Sequence, residues 1–359
     1  MKRDKGMSKE AKRMLMIGAP PIVSIIVAFL ISALFVLWSK DMRLGEYFAA
    51  LLKLVTIVFS ESFSTKLKFM EVLVYATPLL FCGLAHIICF RCGLFNIGVE
   101  GQFILGMTSA GIIGQFTGIP AILQVILIMM TGVLAGGIWA LIPASLKALK
   151  GINEVVICIM TNFLAMHFSN YVALRSNIAD VNATATFMIQ ANAQLPRFND
   201  SSRLNISTIV VIILAIFVYF FLFSTKRGYQ IRAVGLNSFA AQAGGIKVNV
   251  NIVLALVISG AIAGLGGALH VAGVQHRLIS VAGFPGYGMD AIAISLLSNR
   301  NPVACIFVAI LFGALRNSSR MFQIEGIPKD TVYIIQAIII FFVAADLISK
   351  YLKQRSRTK

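Results

Sequence analysis

Apolar residues run along this chain in long blocks. Stretches 17–37, 72–90, 206–224 and 332–348 are almost uninterrupted, and each comes near the roughly 20 residues a membrane-crossing helix needs. Polar breaks divide the chain into ten predicted spans: 16–38, 72–90, 102–117, 120–143, 154–173, 206–224, 252–273, 288–298, 302–316 and 332–349. The eighth and ninth are short, so they are either half-helices or a re-entrant pair. A closed β-barrel would show short alternating segments instead. The pattern predicts an all-α polytopic membrane protein, one integral domain over 1–359. The first apolar block is too long for the core of a signal peptide and lacks a small-residue cleavage site after it.

Between the first two blocks, segment 39–71 breaks the pattern. Leu44, Tyr47, Phe48, Leu51, Leu52, Val55 and Val58 recur at helical spacing among lysines. That predicts an amphipathic helix lying in the outer interface; the alternative is a poorly apolar true span, which would invert everything downstream. Segment 174–205 is polar, without strong periodicity, and reads as an outer loop. Asn182 and Asn205 begin glycosylation-like triplets that are too short to carry weight.

Charge then sets orientation. The 359 residues are 58% hydrophobic and 13% charged, with a net charge of +17. With both termini cytoplasmic, 19 of the 31 lysines and arginines fall on the inner side, the expected bias. They lie in the basic tails 1–15 and 350–359, at Arg91, Lys147 and Lys150, across 225–250, and at Arg300. A basic soluble protein would suggest nucleic acid; here the charge sits at helix ends, where it meets anionic lipid, and no nucleic-acid partner is expected.

Two segments place polar chemistry inside the oil. "CGLFNIGVEGQFILGM" (92–107) carries Asn96, Glu100 and Gln102 among Gly93, Gly98, Gly101 and Gly106. A glutamate in hydrocarbon costs on the order of 3 kcal/mol, so it needs a cavity, a partner or water. Glycines let a helix break, and broken helices build membrane binding sites. Glu100 would accept hydroxyls of a solute, hold the free N–H groups of its own broken turn, or cap the third span. "GYGMDAIAISLL" (286–297) echoes the pattern with Asp290. The echo points to a repeat of two halves sharing one site. Asn96, Glu100, Gln102 and Asp290 are the candidate substrate-path residues.

The enzyme classes find no support in the motifs. His86, His167, His270 and His276 are scattered; a lone histidine in a span more often bonds a neighbouring helix. No zinc-type histidine pair, nucleophile elbow or P-loop is present. The Cys-x-x-Cys pair Cys89 and Cys92 lacks a second pair for a structural metal site. No cofactor, metal or catalytic residue is expected. An ion-coupled secondary transporter, with Glu100 and Asp290 carrying ions, remains the rival on residues alone.

Four stretches carry a resemblance: "GLFNIGVEGQFILG" (93–106), "KALKGINEVVICIMTNFLA" (147–165) with Asn153, Glu154, Thr161 and Asn162, "TKRGYQIRAVGLNSFAAQAGGI" (225–246) and "GYGMDAIAISLLSNRNP" (286–302). In order and spacing the chain resembles permease subunits of bacterial ABC importers for nucleosides and simple sugars, related to ribose and branched-chain amino-acid permeases. The resemblance covers roughly residues 70–315. It departs from the pattern at Leu94, where the family often has a second aromatic, and 39–71 has no matching part. It implies the membrane subunit of an ATP-driven importer of a small polar solute, most readily a nucleoside. Its partners would be a cytoplasmic ATP-binding subunit, a second homologous permease forming a heterodimer, and an extracytoplasmic substrate-binding lipoprotein. It places the chain in the bacterial plasma membrane. It also implies that Gly228, Arg232, Gly235, Asn237, Ala241 and Gly244 form the coupling region that meets the ATPase.

Overall fold

The computed structural model describes residues 9–40, 43–328 and 330–342, with side chains from residue 23 onward. The basic tails 1–15 and 350–359 fall wholly or mostly outside the described residues. Two compact units emerge, 1–64 with 315–359, and 65–314.

In the first unit, α1 (Lys9–Ser39) and α2 (Tyr47–Phe63) pack together. α2 is helical as its spacing predicts, but it buries a different side: Ala50, Leu54, Ile57 and Val58 are buried, while Phe48 and Leu52 of the predicted apolar stripe are exposed, as is Phe59. The Tyr47 hydroxyl donates to the Leu30 carbonyl at 2.8 Å. Lys53 pairs with Glu325 at 2.7 Å. The Asn317 amide donates to the Glu61 carbonyl at 2.7 Å.

The second unit begins with α3 (Lys66–Arg91), whose start lies six residues before the predicted span. Thr65 caps it by accepting the Lys68 N–H at 3.3 Å, so polar residues extend the helix beyond its apolar part. Then follow α4 (Val99–Ile113), α5 (Ala121–Lys150), α6 (Glu154–Arg175), α7 (Ser207–Ser224), α8 (Lys226–Leu236), α9 (Ser238–Ala243), α10 (Val248–His270), α11 (Tyr287–Leu297) and α12 (Pro302–Ile324), whose residues from 315 belong to the first unit. A last helix, Thr331–Phe342, closes the described chain. Each of the ten predicted spans has a helix. Among the described residues, six helices are long and apolar enough to cross a membrane: α3, α5, α6, α7, α10 with its π-turn, and α12.

α10 is the packing axis of this unit and lies against α3, α4 and α5. Backbones touch where α10 meets α5: a Cβ on Gly264 would strike the Gly132 carbonyl and come within 2.9 Å of Gly136 Cα. Lipid tails supply no hydrophobic drive between helices, so small residues that allow close approach carry the packing.

Two ends differ from expectation. α12 runs to Ile324 instead of 316, because Asn317 finds a carbonyl and Ser318 is buried, so polar residues continue the helix. Segment 174–205 is ordered. It forms a two-residue hairpin, Ala179–Asp180 with Ala185–Thr186, and is stitched to the chain after α10. The Thr186 N–H donates to the Leu278 carbonyl at 2.9 Å and the Ile189 N–H to that of His276 at 2.9 Å. Backbone groups must be paired somewhere, and apolar spacing says nothing about where.

Candidate translocation and coupling site

The turn after α3 is the meeting point of the sequence motifs. Gly93 takes φ +75°, open to glycine at no steric cost. The chain then crosses to α4 without regular structure, and the backbone groups this frees must find partners. α6 supplies two clamps. Asn162 accepts the Gly101 N–H at 2.9 Å and donates to the Ile97 carbonyl at 3.0 Å. Glu154, paired with Lys147 at 2.8 Å, accepts the Phe95 N–H at 3.4 Å. The Asn96 amide donates to Gln102 at 3.1 Å and to the Ser259 hydroxyl of α10 at 2.9 Å. The Cys158 thiol donates to Asn96 Oδ1 at 3.4 Å.

Glu100 reaches the second glycine segment. Its Oε1 accepts the Gly286 N–H at 2.7 Å, and its Oε2 accepts those of Gly288 at 2.5 Å and Met289 at 3.1 Å. These are the unsatisfied donors at the start of α11, where a carboxylate is favoured. These three donors belong to α11, a partner that neither capping expectation named. The close approach needs Gly288, since a Cβ there would lie 2.8 Å from Glu100 Oε2. His86 of α3 holds the same residue from the other side, its Nε2 2.9 Å from the Gly288 carbonyl. A carbonyl only accepts, so Nε2 donates. Asp290, half-buried, stands in the first turn of α11.

Asn96, Glu100 and Gln102 are at most 1% exposed and packed within protein; Glu100 joins the two glycine segments, while Asn96 ties Gln102 to α10. A groove of about 480 Å³ lies further along α4, between α5 and α6, lined by Leu105, Thr108, Ser109, Trp139 and Phe168.

The coupling candidates form two short helices. Thr225 caps α8 by accepting the Gly228 N–H at 3.1 Å, and Asn237 caps α9 by accepting that of Ala240 at 3.0 Å. Gly235 sits on the Gly93 turn: a Cβ there would strike the Arg91 carbonyl and lie 2.8 Å from Gly93 N. Gly228 touches the Phe221 and Leu222 carbonyls, and Arg232 Nε donates to Leu222 at 2.9 Å. α9 stands outward, with only Ala241 of its six residues buried and Phe239 84% exposed. Gly244 has only the Ala240 and Ala241 carbonyls near, at 3.5 Å. His86 and Ser259 were missed as site residues; an isolated histidine or serine in an apolar run carries no spacing signal.

Broken segments pinned together among membrane-crossing helices, with a helical loop seated on the break, suit a transport component. Residues 69–344 match the branched-chain amino acid transport system / permease component family, and the chain belongs to it. It is 37% identical over 289 residues to a guanosine ABC transporter permease protein, NupP, of Bacillus subtilis (strain 168), covering 79% of this chain and 82% of that one. It is 30% identical over 347 residues to a nucleoside ABC transporter permease protein, NupB, of Lactococcus lactis subsp. cremoris, covering 94% and 93%. It is 28% identical over 311 residues to a glucose ABC transporter permease protein, TsgB13, of Haloferax volcanii, covering 82% and 81%.

Proposed function

We propose that this chain is the translocating subunit of an ATP-driven nucleoside importer, working with a cytoplasmic ATPase, an extracytoplasmic binding lipoprotein and a second, similar permease as a heterodimer. Both termini and the α8–α9 loop face the cytoplasm. The observation that carries the mechanism is the contact of Gly235 with the Gly93 turn. Movement imposed on α8 reaches that turn without slack, and through Glu100 it reaches α11. Asn96, Glu100, Gln102 and Asp290 then act on the path by setting how α4 and α11 lie against each other; their burial argues for control of the path over direct solute contact.

Nucleoside as substrate class rests on the two relatives named above. Both are nucleoside permeases by name and are at least 30% identical over most of the chain. The relatives NupQ and NupC, which share the species of NupP and NupB, are matched at 27% and 25%, and support a pair of unlike permeases. A sugar importer is the second reading, favoured by the glucose permease relative.

The test is uptake of radiolabelled guanosine by the assembled complex in proteoliposomes containing ATP, with glucose as competitor. Uptake that needs ATP and ignores glucose supports the proposal. Displacement by glucose favours the sugar reading, and uptake driven by an ion gradient without ATP overturns both.

A further inference from the structure

Three arginines meet at one end of the second unit. Arg91 closes α3, Arg232 lies on α8, and Arg300 follows α11. The Arg91 and Arg232 guanidinium carbons each lie 5.1 Å from the centroid of the Phe223 ring, in the last turn of α7. Arg91 Nε donates to the Arg300 carbonyl at 2.9 Å and its Nη2 to that of Asn299 at 3.4 Å. Among the described residues no carboxylate pairs with any of the three.

That arrangement is costly as it stands. Like charges repel, and a guanidinium carries five N–H donors. Backbone carbonyls take two of these from Arg91 and one from Arg232. The turn that presents Arg300 is itself unusual: Asn299 and Arg300 both have positive φ, 51° and 57°. Two successive non-glycine residues there need support from their surroundings, and Arg91 supplies part of it.

We infer that Arg91, Arg232 and Arg300 bind the phosphate of an anionic phospholipid whose chains lie along α7. Forked guanidinium groups match phosphate oxygens. The face of α7 leading to them is built for lipid: Ile213, Ile216, Phe217 and Phe220 are exposed, with Tyr219 and Tyr229 near the same end. Tyrosines favour the level of the headgroups, and basic pockets between helix ends on the cytoplasmic side suit anionic headgroups. A carboxylate of the ATPase fits less well. The most exposed apolar residues of the loop, Leu236 and Phe239, mark the docking side, whereas Arg232 turns back to the Leu222 carbonyl of α7. The inference rests on the proposed reading only for which side is cytoplasmic.

The full chain would be purified in its complex and placed in nanodiscs of phosphatidylcholine, alone or mixed with phosphatidylglycerol. Retained lipid is read by native mass spectrometry and thermal stability by melting, with neither solute nor ATP present, so the outcome is independent of nucleoside uptake. Wild type should retain phosphatidylglycerol and melt higher with it. Arg300→Asn, which suits the left-handed backbone, and Arg232→Gln should each lower retention about fivefold, the equivalent of roughly 1 kcal/mol per basic residue. Arg300→Lys should restore most of it, and Arg227→Gln on exposed α8 surface should change nothing. Equal loss in Arg227→Gln, or none in the other two, overturns the site. Equal protection by inorganic phosphate in phosphatidylcholine discs overturns the lipid source. Dependence on Arg300 seen only when the ATPase is bound, whatever the lipid, overturns it in favour of a protein carboxylate.

Discussion

The Glu100 carboxylate accepts the backbone N–H of Gly288 at 2.5 Å across 188 residues of sequence. With Gly286 and Met289 it takes three donors on its two oxygens, so one side chain of α4 fixes where α11 begins.

Glutamine cannot replace it without loss. An amide has one acceptor oxygen, and its NH₂ would face N–H donors on the other side. Glu100→Gln should melt below wild type and above Glu100→Ala, each by a few degrees or more, since an unsatisfied buried group costs about 1–3 kcal/mol. Differential scanning fluorimetry of the complex in detergent reads the order. Identical melting of all three would show that the cap contributes nothing.

Gly235 and Gly244 should separate coupling from mere glycine content. A methyl at Gly235 overlaps the Arg91 carbonyl, whereas one at Gly244 meets nothing nearer than 3.5 Å. Gly235→Ala should lose at least tenfold in ATP-dependent uptake while the protein remains in the membrane. Gly244→Ala should stay within twofold. Uptake assays alongside membrane immunoblots give both values.

Asn162 is the clamp on the broken segment. Asn162→Leu removes partners of the Gly101 N–H and the Ile97 carbonyl, and should destabilise by about 2–5 kcal/mol for two orphaned backbone groups. Denaturant unfolding in detergent measures it. Thr161→Val, one residue earlier, loses only a bond to Cys158 within the same helix and should cost much less.

Acid should loosen segment 176–205. His276 is held below the usual histidine range, first by burial and then by the Arg197 charge; a bond with Ala272 acts the other way, more weakly. Arg197 Nη2 lies 3.1 Å from His276 Nε2, so the neutral ring accepts. A depressed folded pKa means that the stabilisation is complete above the unfolded value, about 6.5, and is lost as pH falls below it. Hydrogen exchange in 176–205 should therefore rise between pH 7.5 and 5.5. His276→Asn, which tolerates the left-handed φ of 55°, should abolish that pH dependence.

What the sequence determined by itself is the membrane plan. Apolar block length and glycine breaks follow from bilayer thickness and backbone hydrogen bonding, which act locally, so a helix at each of the ten predicted spans, and the helix in 39–71, were readable. The two glycine segments were readable as polar insertions for the same reason. Only the tertiary structure decided their partners. Glu100 next to its own turn and Glu100 across 188 residues look alike in sequence, because a carboxylate needs donors and any helix start supplies them. Arg91, Arg232 and Arg300 likewise read only as inner-side charge; the meeting of Arg91 and Arg232 on Phe223, and of Arg91 with the Asn299–Arg300 turn, depends on how α3, α7, α8 and α11 pack. Packing is set by which small residues let backbones approach, such as Gly235 on Gly93 and Gly288 on Glu100, and that complementarity belongs to pairs of surfaces, which no single segment records.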